Sequence, residues 1–306
     1  MVICYDGEAH RRVLAMRSSA EQRARAALAL TRPECFDPEL QPLERHRSDV
    51  WRAEVLDRVD ASGLSGYLKN RIAMARAGVW SSLAYQRVRV GESATAAAQR
   101  ALAELATIDK SQLTDQDLPA YNDAAMRVGA SRWAAEAAPP VAAPAGLGVL
   151  AQPGEPGQTC VLLVDAKHGP AAPLARRCTY GTVWAASARP NPGGTALALA
   201  VQPLATWREL WVFRKGAEGW TLHVLPPADD AAGPGYVEFA GWVPGTGQLL
   251  VAREARDPAH GGHLARSFEL LDAGSLATLR RADSPAALAA FRWQDPAWKR
   301  VTVSLR

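Results

Sequence analysis

The chain has 306 residues, 48% of them apolar, and a formal net charge of +4 from 35 Lys+Arg against 31 Asp+Glu. That length suits about two domains, each with its own core. The arginines are scattered or doubled (Arg11-Arg12, Arg176-Arg177, Arg280-Arg281) and form no concentrated basic stripe, which argues against a nucleic-acid partner; no apolar run reaches the roughly 18 residues of an integral membrane segment.

The opening Met1-Val-Ile-Cys-Tyr-Asp-Gly lacks a basic stretch followed by an apolar core, so no signal peptide is visible and the compartment has to be read from the cysteines. From there to about residue 137 the periodicity is helical. Ser18-Ser-Ala-Glu21 and the overlapping Ser19-Ala-Glu-Gln22 are capping boxes, so they split a first helix near 7–17 from a second near 20–31. One unbroken helix of about 22 residues would extend roughly 33 Å and hold Cys4 away from Cys35. A hairpin brings them within the separation that a disulfide tolerates.

Pro33, Pro38 and Pro42 punctuate a loop, and a helix near 43–59 carries Val50, Trp51, Val55 and Val59 on one stripe. The next helix, about 64–90, repeats apolar residues every three or four positions and stops at Gly91. Ser93 is placed to cap another, near 94–107. Trp80, Leu83, Ala84, Gly91, Ala96 and Ala103 carry the spacing of a tetratricopeptide repeat, and residues 80–103 resemble one such unit. Arg87 and Arg100 stand where that repeat has aromatics, and an ordinary helix pair with an alanine-rich seam reads equally well. A last helix is expected to start at Thr114, boxed by Asp117 and stapled by Leu113 and Leu118. Residues 137–147 then form a Pro/Ala-rich linker between a helical domain, 1–136, and a β domain, 148–306.

In the second domain Cys160-Val-Leu-Leu-Val-Asp165 and Pro173-Leu-Ala-Arg-Arg-Cys178 flank a turn. A hairpin centred on Gly169 sets Cys160 opposite Cys178. Four cysteines pairing within their own halves favour an oxidising compartment. Three later stretches share a Pro/Gly turn feeding a strand of small or β-branched residues: 189–201, 242–252 and 293–303, spaced about 50 residues apart. With the strand pairs between them, they resemble the repeats of TolB-type and WD-type β-propellers, though the turns Pro190-Asn-Pro-Gly-Gly, Pro244-Gly-Thr-Gly and Asp295-Pro-Ala-Trp are degenerate. The resemblance implies about three four-stranded units, a partial propeller whose open edge needs cover from the helical domain or a partner. It also implies the bacterial periplasm or another exported location; cytoplasmic residence is the alternative.

The site search is sparse. His260-Gly-Gly-His263 lacks the third and fourth ligands of a metal centre, so no metal or cofactor is expected. There is no nucleophile elbow, Walker loop or dinucleotide fingerprint, and no catalytic residue can be chosen. Trp184, Trp211, Trp242 and Trp293 read as packing between blades, while Trp207 and Trp220, beside loops, are candidates for an exposed contact surface. The reading is a non-catalytic module that binds or scaffolds a protein partner. The alternative is a hydrolase-like enzyme with a site between helices and sheet.

Overall fold

The computed structural model describes residues 4, 7–37, 40–136, 146–228, 235–257 and 263–299. The chain divides into two compact units that meet between Ala135 and Glu136. Most of the linker stretch, 137–145, lies outside the described residues, and the first strand opens at Gly148.

Among the described residues the first unit holds six α-helices: α1 (Glu8–Ala15), α2 (Ala20–Leu30), α3 (Pro42–Asp57), α4 (Gly66–Arg89), α5 (Thr95–Ala106) and α6 (Leu118–Ser131). The Ser19 side chain accepts from the Gln22 N–H while Gln22 accepts from the Ser19 N–H, and this reciprocal cap separates α1 from α2. Pro42 occupies the first turn of α3, and Glu44 reaches back to the Gln41 N–H. Gly91, at φ +75°, ends α4 in the left-handed region open to glycine. Two boundaries differ from the sequence expectation. Helix α5 follows Ala94 rather than a Ser93 cap. Helix α6 starts after Asp117, because the Asp117 carboxylate is taken by Thr114, whose hydroxyl and N–H both donate to it at 2.7 and 3.2 Å. Helix α4 is the spine of the unit. It buries Leu68, Ile72, Val79 and Leu83 against Leu56 of α3 and the alanines of α2 and α5.

The second unit is built of antiparallel sheet. Strands β1 (Gly148–Pro153), β2 (Thr159–Val164) and β3 (Ala175–Thr179) form a three-stranded meander. A nine-stranded sheet holds β4 (Thr182–Val183), β5 (Arg189–Pro190), β6 (Ala196–Leu204), β7 (Trp207–Gly216), β8 (Gly219–Leu225), β9 (Gly235–Val243), β10 (Gln248–Asp257), β11 (His263–Asp272) and β12 (Thr278–Ala282). Its two halves, β4–β8 and β9–β12, are joined by a short parallel pairing of Trp207 with Gly235 and Arg208 with Tyr236. Among the described residues the sheets close neither a barrel nor a propeller.

Side-chain alternation explains the layering. Leu197, Leu199, Trp211 and Phe213 face Val149, Val161 and Leu163 of the first meander. Their neighbours Ala198, Leu210 and Val212 face Val237, Leu249, Val251 and Leu271 of the last. The far side of β9–β11, with Ala240, Leu250, Ala252 and Phe268, is covered by Leu288, Phe291 and Trp298. The last meander is irregular where that cover lands. A shift in the β9–β10 register leaves Ala240 without a partner across the ladder, and its carbonyl accepts from the Asp295 N–H at 2.7 Å. The next residue is Gly241, where an added Cβ would stand 2.7 Å from the Trp293 carbonyl oxygen.

Of the three expected turn-plus-strand repeats, two are present. Gly194 and Gly247, both at φ +62°, feed β6 and β10. The third is corrected: residues 289–293 and 296–299 are helical, and the expected strand at 300–303 lies outside the described residues. The Asp295 side chain accepts from the Ala297 and Trp298 N–H groups, and this turns the chain into a short helix.

Candidate anion-binding cleft in the helical unit

Helices α1 and α2 fold back on one another, and the Cys4–Cys35 disulfide, with 5.5 Å between Cα atoms, ties the start of α1 to the turn that follows α2. The hairpin sets α1 beside the N-terminal half of α3 across a cleft of about 650 Å³. Helix α1 brings His10 and Arg11, the turn brings Arg32 and Phe36, and α3 brings Arg47, Ser48 and Trp51. Among the described residues no carboxylate lines the cleft. Phe36 and Trp51 pack with ring centroids 6.2 Å apart, and the Arg52 guanidinium lies over the Phe36 ring at 5.4 Å.

The three lining arginines make no ion pair among the described residues, in contrast to their neighbours. Arg12 pairs with Glu8 and Arg25 with Glu21, each one helical turn away, and Arg52 pairs with Asp49 at 2.7 Å. The sequence withholds equivalent partners from the cleft. Trp51 lies four residues beyond Arg47 and Leu43 four before it, Gly7 lies four before Arg11, and Glu44 is occupied at the α3 cap. Three guanidiniums without acceptors among the described residues, beside two aromatic rings, present planar donor pairs to an incoming carboxylate or phosphate.

The residues singled out from the sequence lie elsewhere. Cys160 and Cys178 are register partners across β2 and β3 and form the second disulfide. Trp207 is corrected from an exposed contact to a core residue. It is 6% exposed, with its ring against Gly235 where β7 runs parallel to β9. Trp220 is half-buried on β8, packed against the cluster between the first two meanders. Trp184 and Trp211 are buried and Trp242 partly so, but Trp293, expected between blades, is exposed at the end of a 3₁₀ turn. His260 lies outside the described residues and His263 opens β11. Among the described residues no three His, Cys, Asp or Glu side chains are gathered to hold a metal.

Sequence reasoning missed Arg11, Arg32 and Arg47 because they come from three separate elements. The available signal was local and covered two of them: Arg11 and Arg47 lie on helices with no acidic residue four positions away. The chain matches no protein-family model, no curated protein and no solved structure.

Proposed function

We propose that this chain is a non-catalytic module that binds a protein partner through an acidic segment seated in the Arg11–Arg32–Arg47 cleft. The observation that carries this reading is a cleft whose described lining holds His10, Phe36, Trp51 and three arginines with no ion-pair partner among the described residues, and no carboxylate. An acidic peptide with an aromatic residue satisfies the guanidiniums and stacks on the ring pair. The β unit is proposed to be a partial propeller of three meanders. The stacking of successive sheet faces and the shared turns at Gly194 and Gly247 support it. Helices α4 and α5 are proposed as a tetratricopeptide-like pair. Two disulfides fit an oxidising, exported location, and we propose the periplasm.

The test uses the full chain and a fluorescent octapeptide of Glu with two Phe residues, followed by anisotropy. Saturable binding is expected, weakening as salt rises. Reversing Arg11 and Arg47 to Glu should weaken it by about tenfold or more, the equivalent of one charge-assisted hydrogen bond. Equal affinity for the same peptide with Gln in place of Glu would rule the reading out.

A further inference from the structure

A second cavity, of about 550 Å³, lies on the other side of Arg32, bounded by α2, α3, α4 and α6. Its walls carry Arg52 and Arg71, and both are already held in place. The Arg52 Nε–H donates to the Thr31 carbonyl and its Nη1 group to Asp49, which the Ser82 hydroxyl and the Gln86 amide also bind at 2.6 and 2.7 Å. The Arg71 Nε–H donates to Asp117 at 3.0 Å, and its guanidinium stacks on Tyr67 at 4.5 Å. Arg71 is thus anchored through Nε alone and Arg52 through Nε and Nη1, and Arg52 Nη2 and both Arg71 Nη groups have no hydrogen-bond partner among the described residues. Both guanidiniums are fixed in place, and Arg71 keeps a free Nη1/Nη2 fork for a ligand while Arg52 keeps a single Nη2 donor beside it.

The floor supplies the second observation. Met74, Ala75, Gly78 and Ala124 line it, and Gly78 sits in the middle of the 24-residue helix α4. Glycine there weakens a helix relative to alanine. No neighbour requires its small size, because a Cβ built on Gly78 meets nothing within 4 Å. The space in front of Gly78 is cavity, not packing.

We infer that this cavity binds a small molecule with a carboxylate or phosphate head on Arg52 and Arg71 and a compact apolar body over Gly78. The inference is independent of the peptide cleft, since neither Arg71 nor Gly78 lines it. Hexanoate and hexyl phosphate are titrated into the full chain, followed by calorimetry and thermal unfolding against sodium chloride of equal ionic strength. Saturable binding of at least one probe is expected, and which one binds identifies the head group. Gly78→Leu, which fills the cavity without touching a charge, should abolish binding while leaving the circular dichroism spectrum native. Arg71→Gln should weaken it about tenfold or more. Because loss of Arg71 also leaves Asp117 buried without its guanidinium, the glycine variant decides. Binding that survives Gly78→Leu, or no saturable response to either probe, overturns the inference. The acidic octapeptide should bind the Gly78→Leu protein as it binds the parent, so the two sites fail separately.

Discussion

Glu238 is the residue whose replacement should do most damage to the β unit. Arg208 is fully buried where β7 meets β9, and its guanidinium donates to Glu238 at 3.0 Å. The other Glu238 oxygen accepts from the Trp298 indole N–H at 3.1 Å and lies 3.7 Å from Arg266, which in turn stands 3.4 Å from Glu254. Burial pulls the Arg266 pKa below its ordinary value, and the Glu238 charge opposes that pull. One carboxylate therefore answers two sequestered cations and fastens the C-terminal cover. Removing one member of such a buried pair costs about 3–5 kcal/mol, because the remaining charge stays desolvated. At about 2–4 °C per kcal/mol for a unit of this size, Glu238→Gln should lower Tm by roughly 6–20 °C. Near-ultraviolet circular dichroism during thermal unfolding measures it, since Trp298 reports on the cover. Replacing both partners, Arg208→Met with Glu238→Leu, should destabilise less than Glu238→Gln, as no stranded charge remains on β7. If the double variant melts below the single one, or if Glu238→Gln shifts Tm by no more than a surface substitution, the desolvation argument is wrong.

Ala198→Leu inserts three carbons between the stacked sheet halves, where Ala198 is fully buried, and should cost about 1–3 kcal/mol by urea unfolding; Ala171→Leu, on an exposed turn, should change little. Gly241→Ala should loosen the C-terminal cover, since its Cβ would press on the Trp293 backbone; protease cleavage after Arg292 should become faster, and an unchanged rate would count against the close-approach reading. Burial raises the pKa of Asp117, but hydrogen bonds from Thr114 and Arg71 outweigh it and leave the pKa lowered. Its stabilising contribution is thus present above the unfolded carboxylate value near 4 and is lost as pH falls through the lower folded value; Thr114→Ala should flatten that acid-side loss in the helical unit. Thiol titration of protein recovered from an oxidising compartment should find no free cysteine, and reducing each bridge should destabilise its own unit by about 2–4 kcal/mol.

What the sequence determined by itself was local. Ser19 with Gln22, Pro42 and Gly91 fix helix ends because caps and left-handed turns involve only a few neighbouring residues. The pairing of Cys160 with Cys178 was legible for the same reason: one hairpin sets its register. The propeller resemblance predicted strands feeding from Gly194 and Gly247 but carried the pattern too far at Trp298, where an aspartate turn and a docking site on the bulged β9 select helix instead. Only the tertiary structure decided where charges converge. Arg11, Arg32 and Arg47 meet because a hairpin folds onto α3, and Arg208 meets Glu238 through a two-residue parallel contact. No periodicity encodes those meetings. Their energetics depend on which charges are stripped of water together, and that is set by packing between elements distant in the chain.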